Sequence, residues 1–207
     1  MALPKHIMTS VEEYLKIDED SYEARYEYID GDIRMLAGGT NNHSKIAGNI
    51  TTILNNLLSE STCSVYTSDG RVQLSASRYI YPDITVSCDE REQSDDKTLL
   101  YPRLIVEVLS PGTEAYDRGN KLRYYRECPT IQEYMLVDTQ QAFIEVFRRE
   151  ENNFWTYHAF ESGDIVALAC LMFAFQSAKL TGRSNSPTRA QQNSPISEIY
   201  SIRPCRP

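Results

Sequence analysis

The sequence predicts an α/β (α+β) protein, with helices and strands interleaved along a single domain of a 207-residue chain. Two observations carry this. Over 42–59, Ile46, Ile50, Ile53, Leu54, Leu57 and Leu58 recur at helical spacing and leave Asn and Thr on the other face. Elsewhere, strand-length apolar runs such as Leu104-Ile105-Val106 alternate with turn signals rich in Gly, Pro, Asn and Asp. The length suits one domain over 1–180 with a real core. Beyond it, 181–207 turns to Ser, Pro, Asn, Gln and Arg, a composition that predicts disorder or a loosely held, atypical tail.

Ser10 followed by Glu13 has the form of a capping box opening a short helix through Leu15, and 24–37 has the form of a hairpin turning at Asp30-Gly31. The long amphipathic helix comes next. Strands are expected over 63–67 and 71–74, hinged at Asp69-Gly70, and over 79–87, before a charged loop at 89–98. An apolar strand over 103–109 ends at Ser110-Pro111-Gly112. Asp117 then stands where an N-cap would open a helix over 117–127, which Pro129 stops. Further strands are expected over 133–137, 142–148 and 154–160, and a weaker one within 165–175.

Apolar residues at 41% and charged residues at 24% place the chain among globular proteins. No apolar run approaches the roughly 20 residues that cross a bilayer, and the start lacks a hydrophobic signal segment, so a cytoplasmic protein without membrane contact is expected. The five cysteines are scattered and never form a C-x-x-C pair, a pattern that predicts reduced thiols and neither disulfides nor a zinc site. The net charge of −8 argues against gripping nucleic acid through bulk charge. The charge is uneven, however: four Arg against Glu198 make the tail +3 and leave −11 for the body. Any basic footprint must be local.

Three acids sit where strand patterning favours apolar residues: Glu27 in Arg-Tyr-Glu-Tyr-Ile, Asp83 in Tyr-Pro-Asp-Ile-Thr-Val, and Glu107 in Leu-Ile-Val-Glu-Val-Leu. A carboxylate taken into a sheet needs a cation or good donors to offset its desolvation. Each acid taken alone also fits a solvated, edge or ion-paired position. Pro82 cannot donate to a central ladder, so the strand of Asp83 is expected at an edge or in a bulge that re-aims its side chain. On the following helix Lys121 shares the face of Arg118, Leu122 and Tyr125, where it either snorkels to solvent or reaches the carboxylates. Two carboxylates with a nearby lysine suit phosphodiester hydrolysis assisted by Mg²⁺. Paired acids also serve glycoside hydrolysis, but Trp155 is the sole tryptophan available to stack sugars.

Taken together, Val-Glu-Glu-Tyr-Leu, the Tyr-Glu-Tyr-Ile-Asp-Gly hairpin, His43 before the long helix, Tyr-Pro-Asp-Ile, Val-Glu-Val-Leu-Ser-Pro-Gly-Thr, Asp117 with Lys121, and Glu-Tyr-Met-Leu-Val-Asp resemble the PD-(D/E)XK nuclease superfamily. Within it they resemble the bacterial restriction-endonuclease-like family built on a domain of unknown function, from about Ser10 to Phe175. That resemblance implies a restriction-endonuclease-like core, a mixed sheet flanked by helices. It implies Asp83, Glu107 and Val108 as ligands of Mg²⁺ (or Mn²⁺), Lys121 and Glu27 as further catalytic groups, and His43, Ser110 and Asp117 in supporting or substrate-contacting positions. DNA is the implied substrate, and a homodimer is expected from an edge-prone sheet facing a two-stranded target.

Two departures accompany the resemblance. The superfamily lysine stands two residues after the second acid, and here that position is Leu109, so its role has moved to Lys121 or been lost. If lost, the chain is a non-catalytic relative that binds nucleic acid or self-assembles. The second departure is the Arg-, Ser- and Pro-rich tail.

Overall fold

The computed structural model describes residues 8–36, 38–92 and 97–177, so the expected tail lies outside the described residues. Its centre is a six-stranded mixed sheet in the order β11-β10-β9-β8-β6-β3. These strands are β3 (Ser64–Thr67), β6 (Ile84–Ser87), β8 (Pro102–Val108), β9 (Glu133–Val137), β10 (Ile144–Arg149) and β11 (Trp155–Phe160). Only β8 and β9 run parallel within it. A crossover helix must join such a pair. Here it is one helical run: α3 (Glu114–Tyr116), a π turn (Asp117–Lys121) and α4 (Leu122–Glu127).

Alternation along the strands divides the core. Leu104, Val106 and Val108 face helix α2 (Asn41–Leu58), whose Ile46, Ile50, Leu54 and Leu58 are buried against them. Each such side chain contributes about 1.5–3 kcal/mol by leaving water. Ile105 and Leu109 face the other way, toward Tyr124 and Tyr125 of α4 and a second sheet. That sheet has the order β2-β1-β5-β4-β7, from β1 (Tyr26–Ile29), β2 (Asp32–Met35), β4 (Arg71–Ser75), β5 (Arg78–Ile80) and β7 (Thr98–Leu99). A hairpin of β12 (Ile165–Leu168) and β13 (Phe173–Gln176) adds Val166, Leu168 and Phe175 to the α2 side of the core.

The first helix, α1 (Val11–Asp20), opens with the expected capping box: Ser10 Oγ accepts from Glu13 N, and Glu13 accepts from Ser10 N. It runs past Leu15 to Asp20, because Tyr14 packs on Tyr28 and Tyr79 and Asp18 is buried one turn later.

Several local expectations are corrected. The segment 79–87 is two strands in two sheets: β5 pairs with β1 and β4, while β6 pairs with β3 and β8. Pro82-Asp83 lies in the link between them, so Pro82 interrupts no ladder and β6 is internal, not an edge. Likewise β3 and β4 part company at Asp69-Gly70 and join different sheets. The crossover helix begins at Glu114, and Asp117 sits inside it and not at its N-cap. Cys63 and Cys88 are bridged, with Sγ atoms 2.03 Å apart, against the expectation of reduced thiols. They flank the opposed pair Ser64↔Ser87, so the antiparallel register of β3 and β6 sets them face to face. Cys128 and Cys170 are buried elsewhere. No helix among the described residues is long and apolar enough to cross a membrane.

Candidate functional site

Glu107 occupies the face of β8 that looks toward the crossover helix. Lys121 and Tyr125 are four residues apart on that helix and so share a face. Both reach the same atom: Lys121 Nζ donates to Glu107 Oε1 at 2.8 Å, and the Tyr125 hydroxyl donates to it at 2.5 Å. Asp117 Oδ1 stands 3.4 Å from Lys121 Nζ, and Glu27 Oε1, from β1, stands 3.6 Å away. One ammonium therefore lies among three carboxylates, and all four side chains are buried. The π turn belongs to this arrangement: the Tyr134 hydroxyl reaches the helix there and donates to the Asp117 carbonyl.

Burial pushes Glu107 up to about 8; Lys121 pulls it down, and the neighbouring Asp83 and Asp117 push it up again. Burial would lower Lys121, but Glu107, Glu27 and Asp117 together hold it well above its ordinary value. The lysine is a cation in the folded chain, and its own neighbours keep it one.

Asp83 comes from the β5–β6 link, close enough to Glu107 for its charge to act on that carboxyl. Its Oδ2 accepts from Val108 N at 2.7 Å and lies 3.0 Å from His43 Nε2. His43 comes from the first turn of α2, whose N-cap Thr40 accepts from His43 N. The hydrogen bond to Asp83 raises the imidazole above its ordinary value, although burial acts the other way. Gly39 allows this approach, because a Cβ there would lie 2.8 Å from His43 Nδ1.

The structure thus brings Glu27, Asp83, Glu107, Val108, Asp117, Lys121 and His43 together. Ser110 stays apart: its hydroxyl pairs with Thr113 Oγ1 at 3.0 Å, and its carbonyl accepts from Thr113 N and Glu114 N, which shapes the loop. Tyr125 was legible as a residue on the Lys121 face, although nothing marked it as a donor to Glu107. Tyr81 had no such signal. Its backbone N–H meets Glu27 Oε1 at 3.4 Å, and its hydroxyl donates to Asp18 Oδ2, which also holds Arg71 at 2.8 Å. This group, with Asp18 and Arg71 buried and Tyr81 half-buried, braces α1 against the strand link that leads to Asp83.

The donors suit a hard divalent cation. Among the described residues no three His, Cys, Asp or Glu side chains are arranged to hold a metal ion by themselves, and the point that Glu27, Glu107 and Asp117 surround is taken by the Lys121 ammonium. What fits is a smaller set. Glu107 commits Oε1 to Lys121 and Tyr125, and Asp83 commits Oδ2 to Val108 N and His43, so Oε2 and Oδ1 are the oxygens to offer. Leu109 N bonds to Val137 O, so strand alternation turns the Val108 carbonyl toward the opposite edge, where Asp83 sits. Two carboxylates and a carbonyl are the oxygen set that Mg²⁺ takes, with waters completing its shell. Asp117 Oδ1, buried without a hydrogen-bond partner among the described residues, adds to the excess of negative charge.

Comparison with known proteins adds to this geometry. A family model described as "Uma2: Putative restriction endonuclease" matches residues 11–180. The uncharacterized protein slr1290 of Synechocystis sp. (strain ATCC 27184 / PCC 6803 / Kazusa) is 36% identical over 167 residues, 80% of this chain and 87% of that protein. A second uncharacterized protein of the same strain, sll1609, is 31% identical over 152 residues, 72% of this chain and 85% of that protein. The crystal structure of a putative nuclease belonging to DUF820 from Anabaena variabilis ATCC 29413 superposes with a TM-score of 0.70, covering 84% of this chain and 97% of that one. At 20% identity that likeness shows the fold: the two chains share the mixed sheet flanked by helices.

Proposed function

Because this chain belongs to the Uma2 family of putative restriction endonucleases, we infer that it is an endonuclease that hydrolyses phosphodiester bonds of DNA with Mg²⁺ or Mn²⁺ held by Asp83, Glu107 and the Val108 carbonyl. The observation that carries this reading is the 2.8 Å contact of Lys121 Nζ with Glu107 Oε1, with Asp83 close enough to act on the same carboxyl. Leu109 is buried in the core and cannot supply the ammonium, so Lys121 supplies it from the helix.

A divalent ion at these oxygens polarises the phosphate and lowers the pKa of an attacking water. Lys121 holds that water beside Glu107 and offsets charge that develops on the phosphate. Tyr125 fixes the Glu107 rotamer, Glu27 and Asp117 keep Lys121 protonated, and His43 fixes Asp83. A two-fold dimer would present two such sites to the two strands, and a monomeric mass by light scattering would remove that part of the reading.

Purified protein incubated with plasmid DNA tests the rest. Cleavage that needs Mg²⁺ or Mn²⁺ and disappears in Asp83→Ala and Lys121→Met is the expected result; equal behaviour of wild type and Asp83→Ala would sink it. Leu109 in the superfamily's lysine position favours one competing reading, a non-catalytic relative. Binding of DNA without metal-dependent cleavage would support that instead.

A further inference from the structure

Arg34 stands directly opposite Glu27 in the β1–β2 ladder, so the two side chains share the face that meets Lys121. Glu27 is buried and Arg34 is exposed. Arg34 makes no ion pair among the described residues, although the chain has an excess of acids. Its guanidinium lies over the Tyr116 ring, 5.1 Å from the centroid, and Lys121 Nζ lies 5.8 Å from the same centroid. Tyr116 therefore links a buried cation at the carboxylates to an exposed one at the surface. Its hydroxyl is buried and has no hydrogen-bond partner among the described residues. Burial pushes that hydroxyl up to about 12, so it stays a neutral O–H with a proton to donate.

A guanidinium held over an aromatic ring loses less freedom when it grips a phosphate oxygen pair, since the ring already restrains its position. The carboxylates behind it repel a polyanion, so a site for one needs a local cation outside them. Arg34 meets each requirement.

We propose that Arg34, carried on the Tyr116 ring, is a phosphate-binding residue that grips the backbone of a nucleic-acid strand beside the carboxylate site. This rests on the nuclease reading and adds a substrate contact to it. The contact carries no base information, because a phosphate is the same at every sequence. Arg34 touches the substrate, and Tyr116 is its positioning residue.

The test is fluorescence anisotropy of a fluorescein-labelled DNA duplex of mixed sequence, titrated with the full chain in EDTA from about 50 to 200 mM salt. Arg34→Gln should weaken binding about tenfold, roughly 1.4 kcal/mol. It should also make the slope of log K against log salt shallower by about 0.9, the value of one neutralised phosphate. Arg34→Lys should keep the slope, because the charge stays, yet lose part of the affinity with the planar grip. Arg91, paired with Asp89 and exposed, supplies the control: Arg91→Gln should leave slope and affinity unchanged. Arg34 is exposed, so its variants should keep the wild-type melting temperature.

If wild type binds and Arg34→Gln matches it in affinity and slope, the clamp is overturned while the nuclease reading stands. If wild type fails to bind this duplex in EDTA and again with Ca²⁺ added, both fall together. An equal loss in Arg91→Gln would reduce Arg34 to bulk charge and overturn its assignment.

Discussion

Lys121 Nζ lies 2.8 Å from Glu107 Oε1, although the two residues stand 14 positions apart in the chain, one on a helix and the other on the strand it faces. This pair joins the crossover helix to the central sheet at the point where Glu27 and Asp117 also approach the ammonium. Removing the ammonium takes a donor from Glu107 and leaves Glu27 and Asp117 buried beside it without their cation, and breaking such a buried ionic cluster typically costs about 3–5 kcal/mol. Lys121→Met should accordingly melt well below wild type. A divalent ion, however, no longer competes with a fixed positive charge. Mn²⁺ should bind Lys121→Met about tenfold more tightly, and should raise its melting temperature more than that of wild type. Calorimetry and melting curves read both effects. A variant that binds Mn²⁺ more weakly than wild type would show that Lys121 builds the ion site instead of competing with it.

The close approach of Gly39 to His43 makes a second expectation. A Cβ at 39 would sit 2.8 Å from His43 Nδ1 and 3.0 Å from Cγ, closer than real side chains allow, so the ring must move. Gly39→Ala should separate His43 from Asp83. The imidazole is raised chiefly by that hydrogen bond, so its pKa should fall toward the ordinary value of about 6.5. Proton NMR of His43 Hε1 against pH reads the shift, and an unchanged midpoint would mean that the ring tolerates the methyl group in place.

The main elements were legible because each has a local cause. The helix over 42–59 has its apolar stripe, Ser10 and Glu13 have their reciprocal cap, and Asp30-Gly31 has its turn chemistry. Lys121 was legible for the same reason, as a lysine on an apolar face. What escaped depends on pairing between distant segments. The strand expected over 79–87 carries no local signal for leaving one sheet and entering another at Pro82. Cys63 and Cys88 are separated by 25 positions, and only the register of β3 with β6 opposes them. Asp117 looked like a cap because aspartate is common there. The helix instead starts at Glu114 and carries Asp117 into the π turn, where it faces Lys121.

Glu133 makes the third expectation. It is fully buried, receives Arg148 Nε at 2.6 Å, and accepts from Ala169 N and Cys170 N at 3.1 Å each. One carboxylate thus ties β9 to β10 and to the turn that follows β12. Glu133→Ala would strand a guanidinium and two backbone donors together, with a loss of about 3–5 kcal/mol. Glu133→Gln keeps one oxygen, which in the Oε1 position still accepts from Arg148 Nε and Ala169 N, and should lose less. Urea denaturation reads both. Because Glu133 does not touch the carboxylate site, Mn²⁺ affinity of the folded Glu133→Gln variant should match wild type.

The fourth expectation concerns Glu107 itself. Burial pushes its carboxyl up to about 8, whereas an unfolded chain holds a glutamate near 4.3. Between those values the folded chain binds more protons than the unfolded one, so this group makes stability fall as pH rises through the window. Its contribution is complete below about pH 4 and gone above about pH 8. A divalent ion needs the carboxylate, so its binding must displace the proton. Mn²⁺ binding at pH 7 should release about one proton, and the release should shrink toward zero above about pH 9. Calorimetry in two buffers of different ionisation enthalpy counts the protons directly. Glu107→Gln has none to release and should bind Mn²⁺ more weakly. Normal binding at pH 7 without proton release would mean either that Glu107 is already ionised in the folded chain or that it takes no part in holding the ion; the affinity of Glu107→Gln then separates the two.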